Sequence, residues 1–435
     1  MPISFTRISV FVLVVSTTIG CSFLPQTGSG VSRKSDADSV SVLSDISYLS
    51  SDALEGRFTG TPGNDSAAAY IARRYAALNM SAVLPQKFIQ PFDALAASDV
   101  HAGRTTPRKT QNVVAIVRGT DPVLRNEYVV VGAHYDHLGR TTDFSLDPEA
   151  KDAIRNGADD NASGTAAVME LARLFSMRPA RRSVMFVNFS GEELGVLGSA
   201  WFVEHAPVPK ESIVAMINFD MVGRLRNDKL IVYGRGTASE LKPLVDSVNS
   251  VVPGARFSIS GSDDGFGPSD HASFYTKNIP VLHFFTDIHD DYHRASDDIE
   301  KINAGGEARI INLARGVIDA VANRPAKLTF VRMNPPQQTM SARSGSQVYL
   351  GSVPDMSAGD APGLRLSGVR PGSPADAGGL KAGDLIIELG GKTVTDLYSY
   401  TDALYANKVG DKIKIVFMRD GKRMETEVTL GRRGG

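Results

Sequence analysis

The sequence predicts an α/β protein in which a mostly parallel central sheet flanked by helices is followed by a small, mainly-β domain. Three observations predict it. Between Gln111 and Ala326 short apolar runs alternate with helical segments, the pattern of strands buried on both faces of a sheet. At 331–346 this gives way to a stretch with Pro335, Pro336 and several Ser and Gln, which reads as a linker. From 347 to 433 the chain consists of short strands and glycine turns around one helical run, a domain with its own core.

The chain has 435 residues, for which length alone suggests about three units of about 150 residues each. Apolar residues make up 42% and charged residues 22%, so neither a disordered chain nor a multi-span membrane protein is expected. A net charge of −1 gives no basic excess with which to hold nucleic acid. The single cysteine, Cys21, excludes an intramolecular disulfide and any thiolate zinc or iron–sulfur site, so a metal would have to be held by His, Asp and Glu.

Taken in order, Arg7, the apolar run 8–19 and Gly20 before Cys21 form a stretch too short to span a bilayer as a helix, with the parts of a secretory signal. The ending TTIGC resembles a bacterial lipoprotein signal. That resemblance implies a leader over 1–21, lipid on Cys21 as the membrane anchor, and an exported, periplasm-facing lipoprotein of the bacterial cell envelope. It departs from the pattern at Thr18, where Leu is usual, which leaves cleavage by the general signal peptidase as the alternative. Residues 22–37, rich in Ser, Gly and Thr, read as a flexible tether to a folded domain over 38–330. Helical spacing covers 39–49 and 65–78, the second capped by Asn64 or Asp65 with Ala67, Ile71, Tyr75 and Leu78 on one face. The turn-rich loop LEGRFTGTPGN lies between them. The expected strands are NVVAIV, EYVVVGAH, SVMFVNF, IVAMINFD, KLIVYG and PVLHFF, with a helix over 165–175 after the second. In the last domain GLRLSGV, DLIIELGG, KIKIVFMRDGK and ETEVTLG read as strands and 398–406 as the helix.

In an open α/β sheet a ligand site lies beyond the carboxyl ends of the strands. His134 and Asp136 follow EYVVVGA, Glu192 and Glu193 follow SVMFVNFSG, and Asp220 ends IVAMINF. Asp159 and Asp160 precede a helix, and His293 lies in a loop after PVLHFF. Several carboxylates at one rim would repel or take up protons unless a cation balanced them. Two imidazoles and three carboxylates suit two zinc ions, each with one His, one terminal carboxylate and a share of a bridging Asp, and a further carboxylate free as base. The adjacent Glu192 and Glu193 fit the last requirement.

The runs GAHYDH, NGADDNASG, SGEELGVLGS, NFDMVG, PSDHASF and YHRASDD, in this order, resemble the bacterial di-zinc aminopeptidases of the transferrin-receptor and glutaminyl-cyclase superfamily, over roughly 49–322. The resemblance implies a zinc-exopeptidase fold in which His134 and Asp220 hold one zinc, Glu193 and His293 the other, and Asp160 bridges. It implies Glu192 as general base, Asp136 as the carboxylate that orients His134, and Asp297 in the same role for His293. The activity it implies is metal-assisted hydrolysis of N-terminal peptide bonds, with peptides as substrates. Carboxypeptidase or glutaminyl cyclase activity on the same fold, or a non-catalytic envelope adaptor, are the alternatives. Some members carry a tyrosine four residues before the Asp of SDH; here Phe266 stands there, with Tyr275, Tyr292 and His271 as replacement oxyanion donors.

Other residues read more plainly. His283 is a core histidine, His101 and His205 are solvated, and His137, His271 and His289 lie behind or around the site. Asp159 competes with Asp160 for the bridging position, and the acidic run Asp287, Asp290, Asp291, Asp298 and Glu300 reads as a solvated loop. Finally YLGS and GLRLSGVRPGSPADAGGLKAGDLIIELGGKTV resemble a bacterial PDZ domain, over 347–433. The resemblance implies capture of a peptide or protein terminus as an added strand. Pro354 and Asp355 fall where the receiving strand should run, and proline removes a ladder donor, so docking against the first domain is the alternative.

Overall fold

A computed structural model of the chain describes Met1, residues 36–333 except 86, 97–98, 100–104, 143, 148 and 268, and residues 348–432 except 355–362, 395–398, 401–402 and 405. The expected leader, Cys21, His101, Asp355 and most of the tether and linker lie outside the described residues. The folded chain is engaged from Asp36, whose carbonyl accepts from Arg173, while Ala37 N donates to Asn312 Oδ1 at 2.9 Å. No helix among the described residues is long and apolar enough to cross a membrane.

Helix α1 (Ser39–Leu49) is capped by Asp38, whose side chain accepts from Val40 N. Helix α2 (Pro62–Ala77) starts earlier than its apolar spacing suggests, because Thr61 supplies the cap and Pro62 suits the first turn, where no N–H is needed. Strands β1 (Ile89–Ala94), β2 (Arg108–Val117) and β3 (Tyr128–His134) precede helix α3 (Gly164–Met177). Then come β4 (Ser183–Phe189), α4 (Leu197–Glu204), β5 (Ile213–Phe219), β6 (Lys229–Tyr233), α5 (Leu241–Val251), β7 (Ser258–Ser260), α6 (His271–Tyr275), β8 (Val281–Phe285) and α7 (Ala304–Asn323).

The eight strands form one sheet in the order β1-β2-β4-β3-β5-β8-β6-β7. The central four, β4-β3-β5-β8, run parallel and are buried along their whole length. The runs NVVAIV (β2) and KLIVYG (β6) join antiparallel to β4 and β8. The connections explain this: no α-helix lies between β2 and β3 or between β5 and β6, and a parallel neighbour needs a long crossover. One face packs on α1, α2, α3, α5 and α7 through residues such as Ile46, Ile71, Leu171, Val245 and Ile310; the other packs on α4 and α6 through Phe202 and Phe274.

The C-terminal domain has a separate core, including Leu350, Leu366, Ile386, Leu389, Ile415 and Val428. Strands β9 (Val348–Tyr349) and β16 (Gly431–Arg432) pair at its two ends. Its main sheet runs β10 (Ser352–Pro354), β11 (Leu364–Val369), β12 (Leu385–Leu389), β14 (Lys412–Arg419) and β15 (Lys422–Thr429), with β13 (Lys392–Thr393) on β12 and a short helix α8 (Pro374–Ala377) beside it. Proline is tolerated in β10 because that strand is the last in the order. The helix expected over 398–406 falls partly outside the described residues; Tyr400, Ala403 and Leu404 within it are buried in this core.

Candidate active site

The parallel strands β3, β4 and β5 end on one edge and deliver His134, the Glu192–Glu193 pair and Asp220 there. Asp159 and Asp160 arrive on the turn before α3. That turn depends on Gly157, at φ +57°: a Cβ there would lie 1.9 Å from the Asp160 carbonyl oxygen and 2.5 Å from the His137 ring. His293 comes from the loop after β8.

Asp160 sits between two groups. Its Oδ1 lies 3.5 Å from His134 Nε2, which is also 3.5 Å from Asp220 Oδ1. Its Oδ2 lies 3.3 Å from His293 Nε2, which is 3.3 Å from Glu193 Oε2. His134 Nδ1 donates to the Asp136 carbonyl at 3.2 Å, and His293 Nδ1 donates to the Phe144 carbonyl at 2.9 Å. In each ring the proton is therefore held on Nδ1, and the Nε2 lone pair is turned toward carboxylate oxygens. Lone pairs facing carboxylates need a positive charge between them, either a second proton or a metal ion. The carboxylates, Glu192 foremost for His134 and Glu193 for His293, overcome burial and hold both histidines well above their ordinary pKa. The histidines in turn hold Glu193 well below the usual carboxylate range against its burial. Among the described residues, His134, Asp160 and Asp220 form one set able to grip an ion, and His137, Asp160 and Glu193 another.

His137 is thus drawn in more closely than a rim residue would be. It is fully buried, its Nδ1 lies 2.7 Å from Glu193 Oε1, and its ring meets that of His293 at 5.8 Å. Its place in GAHYDH, three residues after His134, is the signal that marks it.

Around the edge, Thr59 Oγ1 donates to Asp136 Oδ2 at 2.8 Å and the Glu192 amide to Asp136 Oδ1 at 3.2 Å. Asp136 Oδ1 is 3.7 Å from His134 Nδ1, so its backbone carbonyl is the nearer acceptor for that ring. Ser269 Oγ donates to Asp220 Oδ2 at 2.9 Å. Glu192 belongs to neither donor set; its Oε2 lies 3.9 Å from His134 Nε2. Burial first, then Glu193, Asp220 and Asp270, raise its pKa well above the ordinary value. Burial likewise pushes Asp270, of the SDH run, up to about 7.

Several expectations are corrected. Asp297 does not touch His293: its Oδ2 accepts from the amides of Asp159 and Asp160 at 3.0 Å each, and its Oδ1 from Arg224 at 2.9 Å. It shapes the turn that carries Asp160, and Phe144 orients His293 instead. Asp159 faces away from Asp160's partners, accepting from Ser163 Oγ and Gly223 N and meeting His289 Nε2 at 3.1 Å. Tyr275 is buried, and its hydroxyl accepts from Met333 N at 2.8 Å and donates to the Met333 carbonyl at 3.4 Å, which commits its proton away from the site. His271 Nδ1 meets His283 Nδ1 at 2.9 Å, and burial lowers His283 to about 4, so that histidine stays neutral in the core. Tyr292 remains beside the site, stacked on His293 at 3.9 Å. Asp291 is not merely solvated, since it pairs with Arg224 and Lys301.

The sequence model of peptidase family M28 matches residues 112–318, the segment that carries the His, Asp and Glu side chains of the site. This segment is M28-like. A PDZ model matches 338–430. The M28 domain is similar to an aminopeptidase of Bacillus subtilis, 29% identical over 206 residues, 46% of this chain and 42% of that one. It is also similar to a probable zinc metalloprotease of Leptosphaeria maculans, 33% identical over 189 residues, 42% of this chain and 40% of that one. The chain therefore spans about two fifths of these relatives' length. Among solved structures, a zinc aminopeptidase from Bacillus subtilis shares the fold with a TM-score of 0.53 at 18% identity, over 69% of this chain and 100% of that one. A glutaminyl cyclase from Bacteroides thetaiotaomicron shares it with a TM-score of 0.55 at 18% identity, over 65% and 98%. The M28 domain also touches the PDZ domain: Arg370, after β11, donates to Glu149 Oε1 at 3.1 Å and to the Leu146 carbonyl at 3.4 Å.

Proposed function

We propose that the chain is a zinc-dependent exopeptidase, an aminopeptidase that removes N-terminal residues from peptides with the help of two metal ions. The observation that supports this is Asp160, whose two carboxylate oxygens face two separate imidazole–carboxylate groups. Imidazole nitrogens with hard carboxylate oxygens suit zinc, so the residues present fit the metal. In this reading His134 and Asp220 hold one ion, Glu193 and His293 the other, and Asp160 bridges, with His137 steadying Glu193. Zinc bound there would polarise the scissile carbonyl and lower the pKa of a water in the site. Glu192 accepts the proton of the attacking water and delivers it to the leaving amine, which is why it stands beside the donor sets without joining either. Asp136 and Thr59 hold the His134 loop, and Ser269 holds Asp220.

Aminopeptidase names among the relatives favour cleavage at the amino end. The leader over 1–21 and Cys21 support an exported lipoprotein of the cell envelope, facing the periplasm. The PDZ domain, with β10 at the end of its sheet, is suited to a peptide or protein terminus. Glu192→Gln tests the mechanism: zinc content should be unchanged and kcat should fall by about 10²–10⁴. A panel of free-amine and N-blocked peptides tests the class. Cleavage confined to free amines is expected; cleavage from the carboxyl end, or cyclisation of N-terminal glutamine without hydrolysis, would overturn it.

A further inference from the structure

Among the described residues, three arginines have almost no exposed surface: Arg57, Arg155 and Arg182. Arg155 pairs with Asp147 at 2.6 Å and Arg182 with Glu127 at 2.7 Å, as buried arginines ordinarily do. Arg57 is different, because each of its described hydrogen bonds ends on a backbone carbonyl. Its Nε donates to Tyr135 O at 2.8 Å, one terminal nitrogen donates to Asn156 O at 2.6 Å and to Leu49 O, and the other donates to Gly157 O at 3.1 Å.

The identity of those carbonyls is the point. Tyr135 stands between His134 and Asp136, and Asn156 and Gly157 begin the turn that delivers Asp160. A single planar guanidinium thus ties together the two ends of the long connection between β3 and α3, with the end of α1 as a third anchor. It reaches them from LEGRF, where Glu55, Gly56 and Arg57 all adopt positive φ. Gly56 is required there, since a Cβ would lie 2.3 Å from the Arg155 carbonyl oxygen. The Arg57 carbonyl is itself held by Asn64 Nδ2 at 3.1 Å. Burial lowers the guanidinium to about 10, while Asp136, Asp160, Asp297 and Glu193 act to keep it charged. The guanidinium donates to carbonyls and not to these carboxylates, whose oxygens stay available to a ligand.

We propose that Arg57 is a positioning residue of the metal centre: it clamps the His134–Asp136 loop to the Asn156–Asp160 turn, setting the bridging carboxylate opposite the first histidine. This inference rests on the two-metal reading above.

Arg57→Lys keeps the charge but offers one nitrogen in place of a fork. Arg57→Met keeps much of the bulk and loses both. With the full chain, zinc affinity is measured by competition with a chromogenic chelator across pH, beside circular dichroism. Arg57→Lys should weaken zinc about 10–100-fold, with turnover recovering as zinc is added. Arg57→Met should weaken it further, because it offers no donor to any of the three carbonyl anchors. Folded variants that bind zinc like the wild type across pH would overturn the clamp while leaving the metal reading intact; a wild-type chain that binds no zinc would overturn both. Should neither variant fold, nitrogen-15 arginine spectra of the metal-stripped wild type decide. A slowly exchanging Arg57 Nε–H supports positioning that precedes the metal, and rapid exchange that slows only with zinc overturns it.

Discussion

In the PDZ domain the buried carboxylate Asp384 meets Arg419 at two points, Nε to Oδ1 at 2.6 Å and a terminal nitrogen to Oδ2 at 2.7 Å, and accepts from Lys381 N at 2.8 Å. At the carboxyl edge of the large sheet Asp136 and Asp160 are buried, and Glu192, Glu193 and Asp220 are largely so. Among the described residues, though, no Lys or Arg forms an ion pair with any of the five, and their ion-pair partners are histidines. The difference separates two uses of buried charge. An arginine laid on a carboxylate satisfies it and fastens a turn, leaving nothing for a ligand. Carboxylates shared among imidazoles whose second nitrogens face inward leave a deficit of positive charge that an ion can fill, and the described hydrogen bonds of the nearby Arg57 end on carbonyls.

The contrast can be broken most severely at Asp160. Asp160→Ala removes the carboxylate shared by both donor groups, so zinc measured by mass spectrometry should fall by more than the roughly 100-fold typical of an outer partner, with turnover at background; unchanged zinc would mean that the two groups are not one centre. Asp384→Asn should act oppositely, lowering the stability of the PDZ domain by about 3 kcal/mol while zinc content and turnover persist. The lower end of the range for a buried pair is expected because Arg419 is one quarter exposed. Calorimetry showing no loss in the PDZ transition would mean that the pair does not support the fold.

Glu307 in α7 offers a third case, buried with neither carboxyl oxygen partnered among the described residues. Burial, then Asp159 and Asp45, hold its carboxyl well above the ordinary 4.5. The folded chain therefore keeps a proton that the unfolded chain releases, so its contribution is fully present below pH 4.5 and is lost as pH rises toward the folded value. Glu307→Gln should raise Tm by a few degrees at pH 7–8 and by little at pH 4, and a pH-independent gap would contradict this. The smallest effect is expected at Arg370→Ala, which removes an exposed pair between the domains worth about 0–1 kcal/mol. Turnover should stay within about twofold, and a larger change would show that the PDZ domain acts on the site through the loop that holds His293, whose carbonyl accepts from Leu146 N.

Much of the fold is legible because burial on both faces leaves uninterrupted apolar runs: VVVGA in β3, VMFVNF in β4 and IVAMINF in β5. Strand β1 is not, since IQPFDA is half-exposed and carries a proline. The residues gathered at the sheet edge are legible for a different reason: each follows a strand or opens a helix, and strand ends share an edge. Asp297 and Tyr275 are placed differently because their partners, the 159–160 amides and Met333, lie far along the chain and meet them only through loop packing.

By itself the sequence determined that two domains follow one another, that strand ends carry His134, Asp160, Glu192, Glu193, Asp220 and His293, and that thiolates take no part in a metal site. These follow from composition, periodicity and motif order, which are local properties of the chain. Only the tertiary structure decided which strands run antiparallel, which nitrogen of each histidine faces inward, and that Arg57 joins two loops 78 and 99 residues away from it. Hydrogen bonds depend on distance and direction in space, and no local pattern encodes the approach of loops that far apart.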